Sequence, residues 1–274
     1  MTTTNAVGNA LSGTTGTGSF VGATSPTLVT PALGTPVSGS LTNCTGYPGA
    51  LLNVQPLSSS SGTYTPTSGT NTIYFELQGD GGGSGAVTGT SGTKAGCGSG
   101  GASGGYLLIK VPASTVGAST TYTVGQGGIA GTTVPAVPGS GSGTTLVLGA
   151  NTWIAVGGAA GANSVAAVGN NNTNGGAAAS NTTFGNATII KNIGSAAGAN
   201  GLSSTGSFVI SGMGGSSPLG QGGQATLSAA GSSAVGNSGT GYGSGGAGAW
   251  SDVASTNRAG APGLSGIIIA WEYS

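Results

Sequence analysis

The stretch GSGAVTGTSGTKAGCGSGGASG, residues 83–104, places glycine or alanine at every third position: Gly83, Ala86, Gly89, Gly92, Ala95, Gly98, Gly101 and Gly104. Gly125, Gly128 and Gly131 repeat the interval, as do Gly260, Gly263 and Gly266. Three residues make one turn of a polyproline II helix. A small residue on each turn lets such helices lie backbone to backbone, held by amide hydrogen bonds and weak Cα–H···O contacts. With 61 glycines in 274 residues, short runs of this period also arise by coincidence. Collagen is excluded, because the period is often broken and there are only 11 prolines.

Around the glycine stretches stand short runs rich in β-branched and aromatic residues, with apolar residues alternating. The clearest are 71–78 (NTIYFELQ), 106–111 (YLLIKV), 120–124 (TTYTV) and 144–148 (TTLVL). Others are 152–156 (TWIAV), 187–191 (ATIIK), 207–210 (SFVI) and 266–273 (GIIIAWEY). No window carries a helical apolar period, and each glycine would penalise a helix by about 1 kcal/mol. The sequence therefore predicts an all-β protein: a β-rich, Gly-rich head over 70–274 with packed polyproline II (polyglycine) helices. Trp153, Trp271, Phe75, Phe208 and Ile267–Ile269 are its expected core. Trp250 stands apart, between glycine stretches.

Residues 1–68 differ. They carry no charge, and prolines recur at 26, 31, 36, 48, 56 and 66. Such spacing blocks helix, and Thr and Val favour extended backbone. With little apolar surface to bury, this segment reads as an extended fibre-like arm that needs partners, for example identical chains around a threefold axis. The N-terminus has neither a basic region nor an apolar core, so it does not read as a secretory signal. No apolar stretch is long enough to span a bilayer.

Composition excludes several function classes. Charged residues make up 3% of the chain: Glu76, Asp80, Asp252 and Glu272 against Lys94, Lys110, Lys191 and Arg258, with no histidine. That balance leaves no basic footprint for nucleic acid and no polybasic membrane patch. Disorder is the competing reading of so much glycine, but disordered chains pair low hydrophobicity with high net charge. This chain is 36% apolar and has zero net charge. Cys44 and Cys97 sit apart in small-residue contexts and read as two reduced thiols, not as a disulfide framework or a zinc site.

Candidate chemistry is thin. Spacings of the GxGxxG type are common here, but a dinucleotide site needs a strand–turn–helix context. Without histidine there is no Ser–His dyad and no His metal ligand. Glu76 and Asp80 are the one pair of carboxylates that could flank a glycosidic bond. Asp80 ends a strand, where an aspartate usually organises a turn. The expectation is no enzyme, no cofactor and no metal.

Recognition is easier to accommodate. An uncharged binding surface uses aromatics ringed by Asn, Ser, Thr and Gly. Three loops have that composition: 241–258 with Tyr242, Trp250, Asp252, Asn257 and Arg258; 170–184, which is dense in Asn and Thr and ends in Phe184; and the turn around Gln221 and Gln224. For Trp250 packing is the competing role, and for Asp252 with Arg258 a local ion pair.

Two stretches then resemble a known family. Residues 15–48, TGTGSFVGATSPTLVTPALGTPVSGSLTNCTGYP, resemble a module that recurs in bacteriophage tail-fibre and other virion proteins. The second section is similar to the Gly-rich C-terminal domain of phage tail proteins, in its YFELQGDGGGSG, TYTVGQGG, SSPLGQGG and closing GAPGLSGIIIAWEYS. The resemblance implies a virion tail-fibre tip, made in the host cytoplasm. Loops between its Gly runs would bind a bacterial surface protein or glycan. Its implied partners are identical chains, as a homotrimer, and other virion tail proteins. The chain departs from packed-polyglycine adhesins in having fewer uninterrupted Gly runs and a fibre-like arm. The competing readings are a self-polymerising fibre subunit that recognises nothing, and an ice-binding or adhesive extracellular protein.

Overall fold

In TIYFELQ, residues 72–78, alternate side chains turn to opposite faces, and Ile73, Phe75 and Leu77 are fully buried. The computed structural model describes residues 49–89, 94–133, 136–204, 208–228, 232–252 and 256–274. They belong to the compact unit Gly46–Ser274. The tail-fibre-like segment 15–48, with Cys44, lies outside the described residues.

The described chain is mainly β, and its one helix is the single turn Ala113–Val116 after Pro112. Strand Thr72–Gln78 sits at the centre of a five-stranded antiparallel sheet. Its strands run, in order, Leu51–Leu57, Ile267–Tyr273, Thr72–Gln78, Tyr106–Pro112 and Thr188–Ile193. A four-stranded antiparallel sheet holds Ser61–Tyr64, Thr120–Thr123, Thr144–Leu148 and Asn151–Ala155. Their apolar faces share one core: Ile73, Phe75, Leu77, Leu107, Ile109 and Ile268 from the first, Tyr64, Tyr122, Leu146, Leu148 and Trp153 from the second. Each such burial contributes about 1.5–3 kcal/mol. Tyr64 meets Phe75 edge to face at 5.1 Å.

All eight expected strands form, within a residue or two of their expected ends. The N-terminal boundary needs correction. Leu51–Leu57 and Ser61–Tyr64 are strands of the two sheets, so residues 51–64 belong to the head and not to an arm. The core needs correction too. Trp153, Phe75, Ile267 and Ile268 are buried, but Phe208 is 41% exposed. Trp271 and Ile269 lie half-buried on the outer face of the five-stranded sheet.

Glu272 is fully buried beneath the edge of this sheet. One carboxylate oxygen accepts from the Tyr64 hydroxyl, from Gln55 Nε2 at 2.8 Å and from the Thr67 amide at 3.2 Å. Burial pushes its pKa up, but the bonds from Thr67, Tyr64 and Gln55 outweigh that and hold it below the ordinary 4.5. A carboxylate held low when folded stabilises the fold above its unfolded pKa, and that stability is lost as pH falls through the folded value. Thermal unfolding followed from pH 6 down to about pH 3 is expected to show the wild type weakening below about pH 4.5. Glu272→Gln is expected to weaken less over that range. Equal acid slopes would refute the assignment.

From the ends of the strands the chain runs outward in glycine-rich segments and returns. Between Thr72–Gln78 and Tyr106–Pro112 it leaves along 79–88 and comes back along 95–105. The segments carry backbone hydrogen bonds at every third residue. The amides of Gly98, Gly101 and Gly104 donate to the carbonyls of Ala249, Gly246 and Gly243. Those of Ser99, Ala102 and Gly105 go to Ala162, Ala159 and Val156, and those of Gly100 and Ser103 to Ala199 and Ala196. All eight lie between 2.7 and 3.2 Å. The same segment accepts from Gly79, Gly82 and Gly85, from Gly212 and Gly215, and from Gly176. Residues 98–105 are thus enclosed on all sides by other segments and are fully buried.

Glycine is required by the closeness of this approach. A Cβ on Gly98, Gly101 or Gly104 would overlap the backbone carbonyl of Gly85, Gly82 or Gly79. Those three are members of the three-residue series in the sequence. Small polar side chains close the remaining gaps: Ser84 Oγ donates to the Ala247 carbonyl and accepts from the Ala261 amide. Asp80, 1% exposed, ties the root of the segments together. Its carboxylate accepts from the amides of Gly127 and Ser142, at 2.9 and 3.0 Å, and of Gly143 at 2.7 Å.

Candidate functional site

The outward segments end far from the sandwich in a cluster of short strands and connections. Val87–Thr88 pairs with Ser164–Val165, and Gly96–Cys97 with Trp250–Ser251, which also pairs with Ser233–Ala234. This distal end has a small core of its own: Ala95, Cys97, Val209 and Trp250. Trp250 is 4% exposed, which corrects the expectation of a surface contact; it fills the space beneath the distal strands. Cys97 is a free, buried thiol whose pKa burial pushes up to about 11, against opposing hydrogen bonds with Ser203 and Thr173. At neutral pH it is un-ionised and a poor nucleophile.

The other expected contact residues do not form one surface. Asn257 and Arg258 stand at the distal end, where Asn257 Oδ1 accepts from the Gly89 amide at 2.9 Å. Arg258 exchanges backbone bonds with Val87, and its Nε donates to Ser233 Oγ at 2.9 Å. Asp252 is there too, its amide donating to the Ser232 carbonyl. Tyr242 occupies a turn at the opposite end, donating its amide to Leu219 beside Gly243, which abuts Gln78. It lies on the order of 20 Å from Trp250 along the intervening extended segment. Phe184 packs edge to face on Trp153 at 6.0 Å, against the sandwich core. Gln221 and Gln224 are exposed on the flank of the segments.

Asn170–Asn172, from the expected loop 170–184, join residues outside the three expected loops in one surface. A four-stranded antiparallel sheet at the distal end orders Asn170–Thr173, Gly201–Ser204, Phe208–Ile210 and Leu227–Ser228. Thr173, Ser203 and Val209 turn inward and are buried. The alternation sends Asn170, Asn172, Leu202, Ser204, Phe208 and Leu227 outward. Cross-strand pairing lines them in two rows, Asn172–Leu202–Ile210–Leu227 and Asn170–Ser204–Phe208. Phe208 and Leu202 are 41% and 42% exposed and Leu227 is 68% exposed. With Asn170–Asn172, Ser203 and Ser204, Phe208 and Leu202 line a concavity of about 410 Å³ that no charged side chain enters. Exposed apolar side chains rimmed by small amides and hydroxyls can pack on an uncharged partner and hydrogen-bond its edges.

A second concavity, about 590 Å³, lies on the outer face of the five-stranded sheet, among Tyr74, Glu76, Tyr106, Lys110, Trp271 and Tyr273. The Tyr106 hydroxyl donates to Glu76 Oε1 at 2.7 Å. Burial first, and then Glu76, push that hydroxyl far above the ordinary tyrosine range, so it stays a neutral donor. Lys110 lies 5.7 Å from the Tyr74 ring centre and Lys191 5.7 Å from that of Tyr106. Glu76 therefore faces outward on the sheet while Asp80 is enclosed by amides. The two carboxylates share no cleft, and the acid–base pair considered from sequence is not assembled. Among the described residues no group of three acidic, Cys or His side chains could hold a metal, and no helix is long and apolar enough to cross a membrane. No protein-family model matches the chain, and no curated protein matches it.

Proposed function

We propose that this chain is a virion structural protein, the tip of a bacteriophage tail fibre, which adheres to a host cell-surface receptor through the distal end of its Gly-rich head. The observation that carries this reading is the uncharged, apolar outer face around Phe208, Leu202 and Leu227, held at the far end of a rigid hydrogen-bonded stack. The glycine segments are read as packed polyproline II helices, which the recurrence of amide bonds at every third residue supports. A stack of this kind lets the tip connections vary without disturbing the scaffold. Identical chains and other virion tail proteins are the expected partners. The receptor is a bacterial surface protein or glycan whose contact region is uncharged.

Binding of fluorescently labelled protein to a panel of bacterial strains tests the reading. Phe208→Asp is expected to reduce binding to a recognised strain by about 30-fold or more, the effect of removing an interface hot spot. Its melting temperature should match the wild type, since Phe208 is 41% exposed. A protein that binds no strain, or a Phe208→Asp variant that binds like the wild type, overturns the assignment of the surface.

A further inference from the structure

The outer face of the five-stranded sheet carries chemistry that the fold does not use. In a chain 3% charged and 5% aromatic, its concavity of about 590 Å³ gathers Tyr74, Tyr106, Trp271 and Tyr273 with Glu76 and Lys110. Register sets them out in rows. Trp271, Tyr74 and Lys110 stand abreast on three neighbouring strands. Glu76 is one row on, about 6–7 Å along the central strand. Tyr273 closes one side, edge to face with Tyr74 at 5.5 Å. Tyr74, Glu76, Trp271 and Tyr273 are half-buried and Lys110 is exposed, so solvent reaches the row. The Tyr106 hydroxyl holds one oxygen of Glu76 and leaves the second able to accept. Lys110 packs over the Tyr74 ring, which steadies its stem and leaves its ammonium protons free to donate. Among the described residues Glu76 and Lys110 form no ion pair, although they line the same concavity.

We propose that this concavity binds a neutral pyranose sugar: Trp271 and Tyr74 stack on the apolar face of the ring, Glu76 accepts from one ring hydroxyl and Lys110 donates to its neighbour. A pyranose presents C–H bonds on its face and hydroxyls around its edge. The negative faces of aromatic rings attract such C–H bonds. Diagonal positions such as those of Glu76 and Lys110 lie about 7–8 Å apart at Cβ, a gap that adjacent hydroxyls of one ring can bridge. The lining side chains bring one carboxylate and one ammonium, so their charges cancel and an uncharged ligand is preferred to an acidic or basic one. A wholly apolar ligand would cover both charges without pairing either, which is costly. The volume falls within the range of small-ligand pockets. None of these residues belongs to the distal surface, so the site does not rest on the tip reading.

Titration of the full chain with methyl glucoside, methyl galactoside, methyl mannoside and N-acetylglucosamine tests it, followed by tryptophan fluorescence and by saturation transfer to the sugar protons. Trp153 and Trp250 are buried, so a fluorescence change reports Trp271. At least one sugar is expected to bind in the millimolar range, as an open site with few anchors should. Trp271→Ala should weaken that binding by about tenfold or more and remove the fluorescence response. Glu76→Gln should weaken it by about tenfold and keep the fold, since glutamine still accepts from Tyr106. It carries the test by saturation transfer even if Trp271→Ala misfolds. Thr152→Ala, exposed on the other sheet, should bind like the wild type. Binding of none of the four sugars overturns the proposal, and so does binding that Glu76→Gln leaves unchanged. Indole that binds at Trp271 and is displaced by no sugar would mean a plain apolar pocket and overturns it as well. Cell binding is scored separately: a protein that takes a sugar here but recognises no strain sinks the tip reading and leaves this site standing.

Discussion

Gly101→Val is expected to unfold the glycine segments. Gly101 donates to Gly246 at 2.9 Å and accepts from Gly215, and a Cβ at this position would overlap the Gly82 carbonyl. In an ordinary core, overpacking costs about 1–3 kcal/mol because side chains can shift aside. Here the obstacle is backbone, and Gly82 is itself held through its bonds with Ala102 and Gly246. The cost should therefore reach at least about 3 kcal/mol, enough to lower the melting temperature by many degrees or abolish folding. Gly185→Ala is the control: that glycine is exposed and nothing lies within 4 Å of its missing Cβ. It should melt like the wild type or slightly higher, by restricting the unfolded chain. If Gly101→Val also melts like the wild type, the segments do not approach as closely as described.

Asp80→Asn is the second large effect, and it acts at the root of the segments. Three amides converge on a carboxylate that is 1% exposed. An asparagine offers one acceptor oxygen and turns an NH₂ group towards amides that also donate. At least one amide is left buried without a partner, and charge-assisted bonds are lost, a cost of about 3 kcal/mol or more. The loss should concentrate between Gly125 and Gly143, so that amide exchange at Gly127, Ser142 and Gly143 rises before the sandwich melts. Unchanged exchange at those three amides would show that the carboxylate does not anchor the loop.

The strands were readable because each announces itself locally. Thr, Val, Ile and aromatics alternate within five to seven residues, and that suffices for TIYFELQ, YLLIKVP and IIIAWEY. The three-residue series was readable too, since Gly98, Gly101 and Gly104 mark one face of a segment packed against 79–85. Strands Leu51–Leu57 and Ser61–Tyr64 were hidden by Pro56 and a serine run, and their pairing with residues more than 50 positions away is not a local property. The contact residues failed for a related reason. Tyr242 and Trp250 are close in sequence, but a fully extended glycine segment carries them to opposite ends. Trp250 looked isolated because its neighbours in sequence are glycines, while its packing partners Ala95, Cys97 and Val209 arrive from other segments. The outer face around Phe208 and Leu227 exists only once three separate connections meet, so no window of sequence contained it.

The amide pattern of Gly98–Gly105 also governs how such a chain can change length. Each residue is addressed to one of three neighbours by its position counted in threes. Inserting or deleting one residue inside a segment redirects every later amide to the wrong neighbour and swings side chains into places that admit only hydrogen. Removing a whole triplet shortens the segment and leaves every remaining address intact. The distal connections obey no such count. Length variation within the segments is therefore quantised in threes, as in a reading frame, whereas the tips can gain or lose residues one at a time.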